Sequence, residues 1–322
     1  MERLEKELLL TLLLVGLSIP GMAQGTAEPE GSASRDIGRA LTHIKVNSDL
    51  VVIPVTVTDG KGRVVAGLQK DQFELYEDKV QQAITQFDTE DAPVSIGVIF
   101  DASDSMQPRM RQARAAVNEL LDHANRQDEF FLVRFSTRAD LTCPLTTDRE
   151  EVRQRMQSLE VGGSTALLDA VLMGIDELKH AHHTRKALVI VSDGEDNSSH
   201  IAESRFREMV KESDVLIYAI GIIDSNSFTG SFNSYRPTGS ALLNEIATET
   251  GGRLFQVSKL KQLPEVTATI GSWLRSQYVL GYVSSNDERN GRYRKIQLKL
   301  TRPKGYPKLH ASWRLGYYAP TE

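Results

Sequence analysis

The stretch VSIGVIFDASDSM, residues 94–106, places three oxygen-bearing side chains directly after an apolar run. The run from Val94 to Phe100 has the composition of a strand that is buried inside a sheet. Asp101, Ser103 and Ser105 then follow at every second position. Because ligands of open α/β sheets bind beyond the carboxyl ends of the strands, these three side chains form a candidate site.

The order of strand-like and helix-like segments in the surrounding sequence, from about residue 92 to 277, predicts the fold class. Strands are predicted at VSIGVIF, FFLVRF, KALVIVSDG, DVLIYAIGI and GRLFQV, with a short edge strand in ADLTCPLTTD. Helical patterns lie between them, near residues 109–124, 149–159, 166–181, 202–212, 242–250 and 263–275. Apolar strands that alternate with helices predict an α/β fold, a doubly wound, Rossmann-like and mainly parallel sheet with helices on both faces.

Both flanks of this region, residues 44–90 and 278–322, have a β pattern instead. LVVIPVTVTDGKGRVVAGL contains two apolar runs around a turn, and DQFELYEDKVQQAITQF repeats the arrangement, which predicts about four strands. YVLGYV, RYRKIQLKL and PKLHASWRLGYY predict three more. Neither set is large enough to be stable alone. We therefore expect one β-sandwich, with the α/β domain of residues 91–277 inserted between its N-terminal and C-terminal halves.

The N-terminus has the composition of an export signal. Its apolar segment, residues 8–19, is too short to span a bilayer core of about 30 Å, and small residues follow it. We predict a signal peptide over residues 1–23 and a flexible leader over 24–43, although acidic residues share the positively charged region. An uncleaved anchor or an amphipathic helix is the alternative. The mature chain is expected to be periplasmic or secreted, with no transmembrane helix.

Composition excludes several functional classes. The 322 residues carry a net charge of −5 with scattered Lys and Arg, which argues against nucleic-acid binding. The single cysteine, Cys143, allows no intramolecular disulfide and is interpreted as a small buried residue. His180, His182 and His183 are interpreted as surface residues at a helix C-terminus. The phosphate-loop, GxSxG, HExxH and GxGxxG motifs are absent from the sequence.

Two further segments are expected to reach the same edge of the sheet. Asp193 follows the strand in VIVSDGED, and Thr165 ends a Gly-Gly-Ser-Thr loop before a helix. With Asp101, Ser103 and Ser105 they form a set of hard oxygen ligands, which suits Mg²⁺ first, with Mn²⁺ or Ca²⁺ as alternatives. The competing interpretation of residues 101–105 is a helix N-cap. The nearby acidic residues off this pattern are interpreted as solvated surface: Asp104, Glu195 and Asp196.

These residues closely resemble the von Willebrand factor type A (VWFA) domain and its metal-ion-dependent adhesion site (MIDAS). The family's Asp-x-Ser-x-Ser pattern falls on residues 101–105, its threonine on Thr165 and its second aspartate on Asp193. The flanking β segments resemble a bacterial secreted group, the VWFA-related domain family of acidobacterial type, so that the resemblance covers roughly residues 45–319. It implies the family's fold and metal site.

The expected function is therefore a binding module and not an enzyme. Because hydroxyl ligands are neutral, they do not balance the positive charge of the cation. The cation should therefore attract an acidic side chain of an unidentified partner protein. Phe228, Phe232 and Tyr235, in the loop 225–240, could add contact area. The alternatives are a structural or scaffold envelope protein whose metal only stabilises loops and, much less favoured, a metal-dependent hydrolase. A phosphatase of the haloacid-dehalogenase type needs a second aspartate where Ser103 stands.

Overall fold

The computed structural model describes residues 50–89, 92–222 and 239–321. The predicted signal peptide and leader, and the loop with Phe228, Phe232 and Tyr235, lie outside the described residues. In the part that is described, no helix has the length and apolar character needed to cross a membrane.

The described chain has a strand-rich segment at each end and an α/β region in the centre. The strands before the centre are β1 (Leu50–Thr58), β2 (Phe73–Glu77), β3 (Val80–Gln82) and β4 (Gln86–Asp88). The central strands are β5 (Val94–Asp101), β6 (Glu129–Phe135), β7 (Ala139–Thr146), β8 (Arg185–Ser192), β9 (Leu216–Ile222) and β10 (Leu254–Val257). The last strands are β11 (Tyr278–Val283), β12 (Tyr293–Leu300), β13 (His310–Trp313) and β14 (Gly316–Tyr318). The α-helices are α1 (Met110–Asp122), α2 (Arg149–Gln157), α3 (Leu167–Glu177), α4 (Glu203–Glu212), α5 (Gly239–Glu249) and α6 (Leu263–Arg275).

The central sheet confirms the predicted doubly wound arrangement. Its six strands lie in the order β10-β9-β8-β5-β6-β7, and all neighbours are parallel except β7, the antiparallel edge strand. Helices α1, α2 and α6 pack on one face, and α3, α4 and α5 pack on the other. The chain continues from β5 to β6 on one side and later returns to β8 on the other side of β5. The crevice between the ends of β5 and β8 is thus the topological switch point, where ligands of such sheets bind.

The strands of the two ends form two antiparallel four-stranded sheets that enclose a common core. One sheet has the order β13-β1-β11-β4 and the other β14-β12-β2-β3, so each contains strands from both ends of the chain. Ile53, Val55 and Leu280 of the first sheet pack with Leu75 and Ile296 of the second. A strand-rich N-terminal segment and a strand-rich C-terminal segment therefore complete each other. The exact domain limits at residues 91 and 277 stay a prediction.

Two details of the predicted β segments are wrong. The second apolar run, residues 64–68, forms only one bridge, between Thr58 and Val64, because Gly67 has a positive φ of 83° that interrupts extended backbone. The last segment contains two strands, β13 and β14, and not one. The chain passes from one sheet to the other between them, at Arg314 and Leu315.

A buried polar cluster joins the two sheets of the sandwich. The Glu77 carboxylate is 2% exposed and accepts hydrogen bonds from the hydroxyls of Tyr282, at 2.6 Å, and Tyr317, at 2.8 Å. Ser284 donates to the other carboxylate oxygen at 2.6 Å, and Arg294 forms a buried ion pair with it at 3.3 Å. Burial, followed by the adjacent Glu77 carboxylate, raises the pKa of Tyr282. The cluster therefore satisfies a carboxylate that could not be buried alone.

Candidate metal centre

Asp101 and the two serines after it form a compact group of oxygen atoms at the end of β5. The Asp101 side chain is fully buried, and its Oδ1 accepts hydrogen bonds from the backbone N–H of Ser103, at 2.9 Å, and from the Ser103 hydroxyl, at 2.6 Å. The hydroxyl oxygens of Ser103 and Ser105 lie 3.1 Å apart. Ser103 occupies the N-cap position of a 3₁₀ helix, Asp104–Arg109, yet its side chain makes no capping hydrogen bond. Helix capping therefore does not account for the Ser103 hydroxyl.

The loop after β8 brings Asp193 to the same edge of the sheet. Ser192, the last residue of β8, donates from its hydroxyl to Asp101 Oδ2 at 2.5 Å and accepts from the Gly194 N–H at 2.8 Å. Because β5 and β8 are adjacent parallel strands, their last residues are held side by side. Sequence reasoning missed Ser192, although its place directly before Asp193 is a usable signal.

The third loop carries Thr165 and is hydrogen-bonded to the first. The N–H of Gly162 donates to the carbonyl of Ala102 at 2.8 Å, and the N–H of Asp104 donates to the carbonyl of Gly163 at 3.0 Å. Gly163 has a positive φ of 94°, and a Cβ atom there would lie 2.5 Å from Thr137 Oγ1. Thr165 itself is 2% exposed. The tight glycine loop thus places the threonine beside the end of β5.

Asp196 and Asn197 connect the Thr165 loop to the Asp193 loop. Asn197 Oδ1 accepts from the N–H of Thr165 at 2.8 Å, and Asp196 Oδ1 accepts from the N–H of Leu167 at 2.9 Å, in the first turn of α3. The interpretation of Asp196 as solvated surface is therefore wrong, because its carboxylate caps α3. Asp104 and Glu195 are exposed, as expected.

Arg109 is the cationic side chain of this site, and sequence reasoning missed it. Its Nη1 donates to the carbonyl oxygen of Ser105 at 2.8 Å and to Asp193 Oδ2 at 3.0 Å. Ser105 and Arg109 are four residues apart, and side chains at this separation are neighbours on a helix. The sequence spacing could therefore have predicted this contact. The same guanidinium thereby links the first and second loops.

The electrostatics of the group suit a hard cation. Burial raises the pKa of Asp101 to about 6 and outweighs the hydrogen bonds from Ser103 and Ser192, which lower it, while the charge of Asp193 adds to the increase. A bound cation would favour the ionised form of such a carboxylate. The remaining donors are neutral hydroxyls and a second carboxylate. All five predicted residues therefore lie in three hydrogen-bonded loops, and their oxygen chemistry fits Mg²⁺, Mn²⁺ or Ca²⁺.

The other candidate residues lie away from this edge. His182 Nδ1 lies 2.8 Å from Glu129 Oε2, and its ring is 79% exposed. Cys143 is buried. Within residues 50–89, 92–222 and 239–321, no group of three or more His, Cys, Asp or Glu side chains has the arrangement of a metal site.

Comparison with known proteins decides the family. The model of the von Willebrand factor type A domain matches residues 95–269, more than half of the chain. The chain belongs to the von Willebrand factor type A domain family. Domains of this family are mostly protein-interaction modules and commonly bind a divalent metal. The narrower resemblance to the acidobacterial-type group stays a prediction.

Individual relatives of this VWFA protein share only part of their length with it. An uncharacterised protein of Borreliella burgdorferi is 26% identical over 190 residues, 52% of this chain and 54% of that protein. The magnesium-chelatase 67 kDa subunit of Chlorobaculum tepidum is 29% identical over 188 residues, 53% of this chain and 30% of the subunit. Among solved structures, a von Willebrand factor type A protein from Catenulispora acidiphila is 14% identical with a TM-score of 0.49, covering 86% of this chain and 76% of that one. The chain thus spans about half, or less, of these curated relatives.

Proposed function

We propose that this protein is an exported binding module that holds a divalent cation and uses it to capture an acidic side chain of a partner protein. The proposed ligands are Asp101, Ser103, Ser105, Thr165 and Asp193, some of them acting through water. Mg²⁺ is the first candidate, with Mn²⁺ and Ca²⁺ as alternatives. The observation that carries the proposal is the position of the Ser103 hydroxyl at the switch point of the sheet. It lies 2.6 Å from Asp101 Oδ1 and 3.1 Å from the Ser105 hydroxyl oxygen.

The charge of the donor set supports an adhesive cation over a purely structural one. Two of the five ligands are carboxylates and three are neutral hydroxyls. Mg²⁺ prefers six oxygen ligands and retains some waters, so five protein side chains leave room for an external ligand. A carboxylate from a partner would complete the coordination and the charge together. Any acidic side chain that reaches the site, aspartate or glutamate, could supply this carboxylate.

Export is supported by the sequence of the first 23 residues, which has the composition of a signal peptide. The proposed location is the periplasm or the outside of the cell. Sequencing the N-terminus of the protein from the producing cell, after fractionation, tests this part. A new N-terminus at about residue 24 in the exported fraction is expected, and a full-length cytosolic chain would contradict it.

Titration calorimetry tests the metal site directly. Mg²⁺, Mn²⁺ and Ca²⁺ are titrated into the purified protein and into the double variant Asp101→Ala with Ser103→Ala. Ser158→Ala is the control, because Ser158 lies on the surface at the end of α2 and its hydroxyl donates to the Arg155 carbonyl oxygen, away from the proposed site. Saturable binding that the double variant loses and the control keeps is expected. Equal behaviour of all three proteins would refute the metal site.

An NMR measurement with acetate distinguishes a metal that binds an external carboxylate from a metal that only stabilises the loops. Acetate is added to the Mn²⁺-loaded protein as a simple carboxylate, and the relaxation of its methyl protons is measured by NMR. Strong relaxation beyond that of the double variant is expected if a carboxylate reaches the metal. A metal that raises the melting temperature but leaves acetate unrelaxed would favour the structural alternative.

A further inference from the structure

Arg109 places a fixed positive charge against one of the two anionic ligands of the proposed site. The guanidinium turns back from the end of the 3₁₀ helix, and its Nη1 lies 3.0 Å from Asp193 Oδ2 and 2.8 Å from the Ser105 carbonyl oxygen. The side chain of Arg109 is 19% exposed and that of Asp193 is 9% exposed. Because both are largely shielded from solvent, salt screens this pair less than a surface ion pair.

The pair changes the charge that a cation meets. Of the five proposed ligands, only Asp101 and Asp193 are acidic. Arg109 compensates the charge of Asp193, so that the donor set is close to singly negative instead of doubly negative. A divalent cation at Asp193 would also stand near the guanidinium, and like charges repel.

The hydrogen bonds of the Arg109 guanidinium are incomplete. Its Nε is buried and has no hydrogen-bond partner among the described residues, although the guanidinium can donate five hydrogen bonds. A buried donor without a partner costs free energy. The guanidinium is therefore held at this position mainly by Nη1, through Asp193 and the Ser105 carbonyl.

We propose that Arg109 is an internal counter-cation that competes with the divalent metal for Asp193 and thereby lowers the metal affinity of the site. This inference rests on the proposed function of the same site. In the metal-free protein Arg109 stabilises the Asp193 carboxylate, and in the metal-bound protein it opposes the cation. Arg109 thus sets the metal concentration at which the site is filled.

Calorimetric titration of Mn²⁺ and Mg²⁺ into four proteins tests the competition: wild type, Arg109→Gln, Arg109→Lys and Arg111→Gln. Arg109→Gln should bind both metal ions about five- to tenfold more tightly than wild type, since the opposing positive charge is removed while the glutamine amide can still donate a hydrogen bond. Arg109→Lys keeps the charge and should fall between the wild type and Arg109→Gln. Arg111→Gln is the matched control, because Arg111 is exposed on α1 and its removal changes the net charge equally. Its affinity should stay within about twofold of wild type.

Thermal unfolding gives a second readout. Without metal, Arg109→Gln should melt below wild type, because Asp193 loses its counter-charge. With saturating Mg²⁺ its melting temperature should rise more than that of wild type, since a tighter ligand stabilises more. If Arg109→Gln does not fold, Arg109→Met, which keeps the length of the apolar stem, replaces it in both measurements.

The outcomes separate this inference from the function on which it rests. Wild-type binding with equal or weaker binding by the Arg109 variant would overturn the competition and leave the metal site standing, because a residue that merely supports Asp193 can only weaken binding when removed. Tighter binding by the variant supports the inference. No saturable binding by any of the proteins would overturn the proposed function and the inference together.

Discussion

Gly194 lies so close to Gly239 that a Cβ atom at Gly194 would stand 2.2 Å from the Gly239 carbonyl oxygen. Gly194 follows Asp193 directly, and Gly239 is the first residue of α5. The loop that carries the second carboxylate is therefore packed, backbone against backbone, on the beginning of α5. Gly194 also has a positive φ of 88°, a backbone conformation that residues with a side chain rarely adopt.

Gly194→Ala should lower the free energy of unfolding by more than about 2 kcal/mol, because the added methyl group meets backbone atoms that cannot move aside. It should also weaken Mg²⁺ binding, since Asp193 would be displaced. Denaturant unfolding and calorimetry measure the two effects. Gly60→Ala is the control: a Cβ there has no heavy atom within 4 Å, so its stability should change by less than about 0.5 kcal/mol. Equal stabilities for the two variants would contradict the packing argument.

Ser192 should contribute to the stability of the fold. Ser192→Ala removes the hydroxyl that bonds Asp101 Oδ2 and the Gly194 N–H, and both groups would remain buried without that partner. A loss of about 1–3 kcal/mol in the free energy of unfolding is expected. Ser158→Ala, at the exposed end of α2, should change it by less than about 0.5 kcal/mol. A loss no larger in Ser192→Ala would show that the bond contributes little.

The buried pair of Glu77 and Arg294 should be strongly coupled. Glu77→Leu alone should cost about 3 kcal/mol, because Arg294, 4% exposed, keeps its charge without the carboxylate. The double variant Glu77→Leu with Arg294→Met should lose less than the sum of the two single variants, as a double-mutant cycle in denaturant would show.

Asp176→Ala provides the exposed counterpart, since Asp176 and Lys179 are each 71% exposed. Its cost should not exceed about 0.5 kcal/mol. Additive losses for Glu77 and Arg294 would mean that the pair does not act as a unit.

Cys143 should be inert in the folded protein at neutral pH. Burial, followed by the charge of Glu151, raises the pKa of its thiol to about 11. At pH 8, iodoacetamide should modify the folded chain at least about 100-fold more slowly than the chain unfolded in guanidinium. Because the folded-state pKa lies above the ordinary value of 9.0, this group should lower the free energy of unfolding as pH rises from about 9 to 11. Similar modification rates in both states would contradict the burial.

Periodic apolar segments made the α/β centre predictable. The helix expected over residues 263–275 is α6 with the same limits, and the strand expected from Val94 to Phe100 is β5 with one more residue. Prediction was weaker in the flanks, where strands are short and their partners are distant in sequence. The apolar run of residues 64–68 has a strand composition, but Gly67 turns the chain there.

Local sequence also predicted the five proposed metal ligands, since each stands at the end of a strand or in a loop with a recognisable pattern. Asp196 was misjudged because the N–H groups that it caps belong to α3, about 30 residues earlier. Ser192 and Arg109 were missed because a serine or an arginine near a loop is common. Their roles depend on which oxygen atoms the fold brings within hydrogen-bonding distance.

The sequence by itself determined the alternation of buried strands and helices, and it placed the oxygen-bearing residues of the proposed site at the ends of neighbouring strands. These properties follow from hydrophobic periodicity and residue type, which are local. Only the tertiary structure decided that Ser192 holds Asp101, that Arg109 compensates Asp193, and that strands from the two ends of the chain share each sheet of the sandwich. Those relationships join residues separated by up to 258 positions in the chain, as for Val55 and Trp313. Tertiary packing brings such residues together, and no local sequence pattern predicts it.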